Sequence, residues 1–136
     1  MSLIRNAIKV AREYYDDITY QHVMRVAAYT VNDNLISDDK KDNCIVLAIM
    51  HDLLEDTEFD LSTFSINYYL EDCLKILTKD SKSTYEEYIK NIKEKYTNRP
   101  EAYWVKLADI KDHLCQTETL TDKLKEKYLF AIPYLL

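Results

Sequence analysis

The chain contains no glycine in 136 residues, where average usage would supply about nine. Glycine enters positive φ without steric penalty, so several architectures disappear with it. No glycine-rich loop can cradle a phosphate, which removes P-loop and Rossmann readings. Tight β-hairpins lose their preferred turn residue. Helices joined by turns rich in Asn, Asp and Ser are the simplest remaining solution.

The apolar spacing points the same way. Leu3, Ile4, Ala7, Ile8, Val10 and Ala11 recur at helical intervals over residues 3 to 15. A second helix is expected from about Tyr20 to Val31. The polar turn "NDNLISDD" follows, with Ser37 as candidate N-cap of a helix that reaches Asp56. Asp60 or Ser62 starts a short turn, and 66 to 78 a further helix. In "SKSTYEEYIKNIKEKY" the capping-box pattern fits Ser83 with Glu86 or Thr84 with Glu87. Asn98 and Pro100 open the helix carrying "EAYWVKLADIKDHL", and a last helix, about 120 to 132, ends or kinks at Pro133. The expectation is an all-α bundle of about six to eight helices forming one domain over residues 1–136.

A hydrophobic content of 47% suffices for one core, and a formal charge of -6 argues against non-specific binding to nucleic acid or to an anionic membrane. No stretch has the length of a transmembrane helix, and the N-terminus lacks a signal-peptide pattern. Cys44, Cys73 and Cys115 are odd in number and widely spaced, so they read as reduced, mostly packed thiols of a cytoplasmic chain.

One segment breaks the apolar logic. The run Cys44 to Met50 leads directly into His51-Asp52-Leu53-Leu54-Glu55-Asp56. Charge beside a core is costly unless paired or bound to a metal. On a continuous helix His51 and Glu55 share a face, as do Asp52 and Asp56, and all four fall within an arc of roughly 140°. Imidazole and carboxylate donors without thiolate suit a divalent ion such as Mn²⁺, Fe²⁺ or Zn²⁺. Further donors lie on other helices. His22 sits in "ITYQHVMRVAAY", and Asp109 interrupts the apolar "VKLADIKDHL", followed by Asp112 and His113 on the same face.

The ordered set His22, His51-Asp52 and Asp109 resembles that of the HD-domain metal-dependent phosphohydrolases. "HDLLEDT" and "VKLAD" resemble the stringent-response alarmone hydrolases within that family: the hydrolase domain of the RelA/SpoT proteins and its small stand-alone relatives. "LTKDSKSTYEEYIKNI" and "KLKEKYLFAIPYLL" are similar to the corresponding later segments, so the resemblance runs in order over nearly the whole chain.

The resemblance implies the following. His22, His51, Asp52 and Asp109 hold one divalent metal, usually Mn²⁺ in this branch, with Fe²⁺, Zn²⁺ or Mg²⁺ as alternatives. Glu55 and Asp56 match the acidic pair that orients or deprotonates the attacking water. Lys106, Tyr20, Asp112 and His113 fall where substrate contacts are expected. The partner is then a small phosphorylated, nucleotide-like molecule, guanosine tetraphosphate being one candidate. Two features depart from the family. The approach "REYYDDITYQH" lacks the basic, glycine-containing loop, and His113 stands where an Asn often faces the nucleoside. A metal- and nucleotide-binding module without turnover, and a purely structural helical domain, are the competing expectations.

Overall fold

The computed structural model describes residues 2 to 136, and among these the chain is helical with no strand. The order is α1 (Ser2–Tyr14), α2 (Asp17–Val31), α3 (Asp38–Met50), α4 (Leu53–Asp56), a 3-10 turn (Leu61–Thr63), α5 (Tyr68–Leu77), α6 (Tyr85–Glu94), α7 (Pro100–Cys115) and α8 (Asp122–Leu135).

The missing glycine leaves its mark on the helix ends. No described residue has positive φ, so the left-handed C-cap that ends many helices is not used. Asn32 (φ −90°, ψ 0°) closes α2 by donating its backbone N–H to the carbonyls of Ala28 and Thr30. Lys95 closes α6 in the same way on Asn91 and Lys93, and Gln116 closes α7 on Asp112 and His113. Such shared bonds satisfy last-turn carbonyls without a left-handed residue.

The N-termini rest on short polar side chains. Asp16 accepts from the Thr19 amide, which starts α2 ahead of the expected Tyr20. Asn67 accepts from the Leu70 amide and Thr121 from that of Leu124. Of the two capping boxes the sequence allows, Thr84 with Glu87 forms. Ser37 occupies the N-cap position of α3 without a side-chain cap bond. The last helix runs through Pro133 to Leu135 instead of ending there. That proline removes one amide donor, the partner of the Leu129 carbonyl, and Leu129 lies on an exposed face.

The expected single helix from Ser37 to Asp56 is two helices. α3 stops at Met50, His51 and Asp52 form a turn, and the single-turn α4 resumes at Leu53. Two carbonyls at the end of α3 find side-chain donors. Tyr15 Oη donates to Ile49 O at 2.8 Å, and His51 Nδ1 donates to Ala48 O at 2.6 Å. The break therefore replaces main-chain partners with the imidazole itself.

α3 is the central helix. Cys44 and Val46 through Met50 are all buried, and α1, α2, α5 and α7 pack against it. A helix covered on most sides needs no polar face, which explains the unbroken apolar run. α6 and α8 pack on each other and on α7. The buried apolar side chains form one cluster. A buried acid that the sequence does not announce, Glu101 in the first turn of α7, accepts from Tyr69 Oη at 2.5 Å and Asn43 Nδ2 at 3.0 Å, tying α7 to α5 and α3.

Because only Thr84 caps α6, Thr84→Ala is expected to cost about 1 kcal/mol of stability, whereas Ser83→Ala stays within about 0.5 kcal/mol. Urea denaturation of both variants checks this; equal losses would contradict the assigned box.

Candidate metal centre

Four side chains from three parts of the fold converge. α2 supplies His22, the turn after α3 supplies His51 and Asp52, and α7 supplies Asp109. One ligand atom from each lies within 4.8 Å of all the others. His22 Nε2 is 2.8 Å and His51 Nε2 3.0 Å from the same atom, Asp109 Oδ1. Asp52 stands 3.4 Å from His51 Nε2 and 3.7 Å from His22 Nε2. Donors bound at about 2.1 Å to one ion lie roughly 3.0–3.4 Å apart at octahedral or tetrahedral angles. These spacings scatter about that range, from 2.8 to 3.7 Å, and these four residues form a group that could hold a metal ion.

The tautomers follow from the outer partners. His22 Nδ1 is 2.7 Å from Asp112 Oδ2. An ionised carboxylate only accepts, so this nitrogen carries the proton. His51 Nδ1 faces the Ala48 carbonyl, and the same argument applies. Both rings therefore turn Nε2 toward Asp109. Carboxylate or carbonyl partners on the far nitrogen are how metal-ligating imidazoles are normally oriented.

Asp112 is held in turn. It is fully buried, and Arg25 reaches it with Nε at 2.8 Å and Nη2 at 3.0 Å. Tyr29 Oη adds a longer bond at 3.4 Å. Asp112, expected among the substrate contacts, borders the cleft beside His22, but both its oxygens are taken up by His22 and Arg25, so it acts as a positioning residue for His22. Arg25 went unremarked in the sequence. Its spacing of three from His22 on α2 was the available signal.

Lys106 is likewise not on the open side. It is buried on α7, with Nζ 3.0 Å from Asp109 Oδ2 and 5.0 Å above the Tyr88 ring. It neutralises the metal-site carboxylate where a phosphate contact was expected. Tyr20, two positions from His22 on α2, packs against the core. Tyr88 is buried and donates to Leu77 O at 2.6 Å, as a packing residue would.

The electrostatics are those of a charged cluster in a low-dielectric setting. Burial opposes ionisation of Asp109, but Lys106 and His51 outweigh it and hold its carboxyl well below the usual range. Burial also disfavours the charged form of His51, yet Asp52 and Asp109 raise its pKa to about 9. His22 shifts up as well, burial being outweighed by the hydrogen bond and charge of Asp109. The raised pKa values favour a proton on each Nε2, the atom that faces Asp109.

Beside this group lies a cleft of about 400 Å³, lined among others by His22, Arg25, Asp52, Asp56, His113 and Glu118. Asp56 faces it, and burial together with Asp52 and Glu55 raises its pKa. Glu55, its neighbour on α4, accepts from the Lys79 amide and so anchors the loop after α5. His113 sits at the rim, 3.3 Å from Asp109 Oδ1 and stacked on Tyr128. No protein-family model matches the sequence, and no curated protein matches it.

A group whose folded pKa is raised stabilises the fold fully below its unfolded pKa, and that contribution is lost as pH rises through the folded value. For His51 the window runs from 6.5 to about 9. The ion-free protein is therefore expected to lose stability as pH rises from 6.5 to about 9. Saturating Mn²⁺ should shrink that loss, because the ion replaces the proton. Urea midpoints measured with chelator and with Mn²⁺ across this range test both statements.

Proposed function

We propose that this protein is an HD-type metal-dependent phosphohydrolase acting on a nucleotide or related phosphate, of the kind its sequence resembles. The observation that carries the reading is the convergence of His22 and His51 Nε2 on Asp109 Oδ1, each ring oriented by a partner on its far nitrogen. Two imidazole nitrogens and a carboxylate oxygen gathered at this distance are a donor set that one divalent cation would satisfy.

His22, His51, Asp52 and Asp109 would hold a divalent ion, with Mn²⁺ as the proposed metal and Fe²⁺, Zn²⁺ or Mg²⁺ as the other ions this donor set accepts. When bound, such an ion acidifies a water and polarises a phosphoryl oxygen. The protein supplies the rest. Arg25 and Asp112 fix His22, and Lys106 keeps Asp109 ionised in its buried position. Asp56 lines the cleft beside Asp52 and is placed to act as the general base. Water adds at phosphorus, its proton passes to this carboxylate, and the bond to the leaving oxygen breaks. Glu55 completes the acidic pair and holds the Lys79 loop beside it.

The acidic lining supports a cation-dependent reading of the substrate. Asp52, Asp56 and Glu118 border the cleft, while the one arginine there is forked on Asp112. A phosphate enters such a cleft only if a metal charge offsets the carboxylates.

Phosphate and pyrophosphate release from a nucleotide panel that includes guanosine tetraphosphate, with and without Mn²⁺, tests the proposal. Asp52→Ala should lose metal uptake and turnover together. Glu55→Ala and Asp56→Asn should keep the metal and lose turnover by about 10²-fold or more. Absence of turnover across the panel with metal bound would leave a binding module. Absence of both metal and turnover would leave a structural helical domain.

A further inference from the structure

The acidic cleft offers an anion no free cation, because its arginine is forked on Asp112. On the Lys106 side of Asp109, between α6 and α8, lies a second cavity of about 450 Å³, lined among others by Tyr85, Lys123, Lys127 and Phe130. Lys127 stands apart there. Lys41, Lys75 and Lys106 each pair with a carboxylate, whereas Lys127, among the described residues, does not. Its Nζ lies instead 4.4 Å from the centre of the Tyr85 ring and 5.5 Å from that of Tyr128. Aromatic faces hold a cation in place without neutralising it.

Both rings abut the metal centre. Tyr128 stacks on His113 at 4.9 Å, and the Tyr85 ring lies 5.9 Å from Lys106 Nζ, the partner of Asp109. Burial and Lys106 lower the pKa of Lys127, against the pull of Asp109 and Glu55. Glu86 and Glu126 border the same cavity, but the acids that weigh most on Lys127 are those two at the centre. Beside it, the Tyr85 hydroxyl is buried and, among the described residues, has no hydrogen-bond partner. A buried hydroxyl left unpaired is costly. A cation held by rings alone and a hydroxyl without an acceptor lack the same thing, an anion.

We propose that Lys127 and Tyr85 form an anion subsite beside the metal centre, which takes a phosphate of the substrate adjacent to the one that reacts. The inference rests on the phosphohydrolase reading above and deepens it. Lysine binds phosphate as a point charge, and the half-buried setting strengthens that attraction. The subsite selects a diphosphate group over a lone phosphate. It also supplies the cation that Lys106, committed to Asp109, cannot.

The test reads binding, not turnover. At constant free Mn²⁺, the full-length chain is titrated calorimetrically with imidodiphosphate, which resists hydrolysis, and with orthophosphate. Wild type, Lys127→Ala, Lys127→Arg and Tyr85→Phe are compared. Lys127→Ala is expected to weaken imidodiphosphate about tenfold or more and Tyr85→Phe about threefold, with Lys127→Arg recovering most of the loss. Orthophosphate and Mn²⁺ affinities should stay within about twofold throughout. Circular dichroism checks folding, and Lys127→Gln, which keeps much of the stem, replaces the alanine variant if that one unfolds. Imidodiphosphate bound within about twofold of wild type by the uncharged variant would overturn the proposal, as would equal losses for both anions. Lys127-dependent binding with no hydrolysis across the nucleotide panel would keep the subsite and remove the hydrolase reading. Hydrolysis of diphosphate substrates that Lys127→Ala leaves unchanged would do the reverse. A wild type that binds neither Mn²⁺ nor imidodiphosphate would overturn both.

Discussion

A carboxylate buried among helices stays ionised only if its charge is met from several sides, and Asp109 is that carboxylate here. Lys106 meets one oxygen from the preceding turn of α7, and His22 and His51 meet the other from α2 and from the end of α3. These contacts join the three helices that pack most closely around the centre of the fold. Removing any one partner would leave a buried charge short of compensation. The same cluster that binds these helices to one another thus keeps its donors aimed at one point.

The break between α3 and α4 serves this arrangement. Had the helix continued, His51 would project from a regular face, with its position set by the 100° step alone. At the turn it folds back to cap the Ala48 carbonyl, while Tyr15 takes that of Ile49. The unpaired groups at a helix end, normally a liability, become the fixture that orients a ligand. Asp112 and Arg25 do the same for His22 from the opposite side. Each histidine is positioned by a bond on the nitrogen that does not face Asp109, so both rings are held in place by the protein's own hydrogen bonds.

The two sides of Asp109 carry different charge. Toward the cleft lie acids and imidazoles; behind it lie Lys106 and the tyrosines that stack near it. The buried cation Lys106 stabilises the acid from behind. This asymmetry explains why Lys106 and Asp112, both suited by chemistry to touch a phosphate, are instead spoken for within the protein. It leaves Asp56 and His113 as the polar groups that combine proximity to the centre with access to solvent.

The all-α fold was legible because it needed only local physics. The absent glycine, the 3.6-residue apolar spacing and the capping residues Asp60 and Thr84 act within a few positions of themselves. The pairing of His22, His51, Asp52 and Asp109 was legible because polar residues inside apolar helices must find one another. The break at His51 was not, since a side chain capping its own helix leaves no trace in periodicity. Nor were the places of Lys106, Asp112 and Arg25, whose types fit either a substrate or a buried partner. Sequence alone thus determined the helices and which polar groups had to be compensated. The tertiary structure decided which group compensates which, because that choice depends on distances and burial across residues some 90 positions apart, where no local pattern reaches.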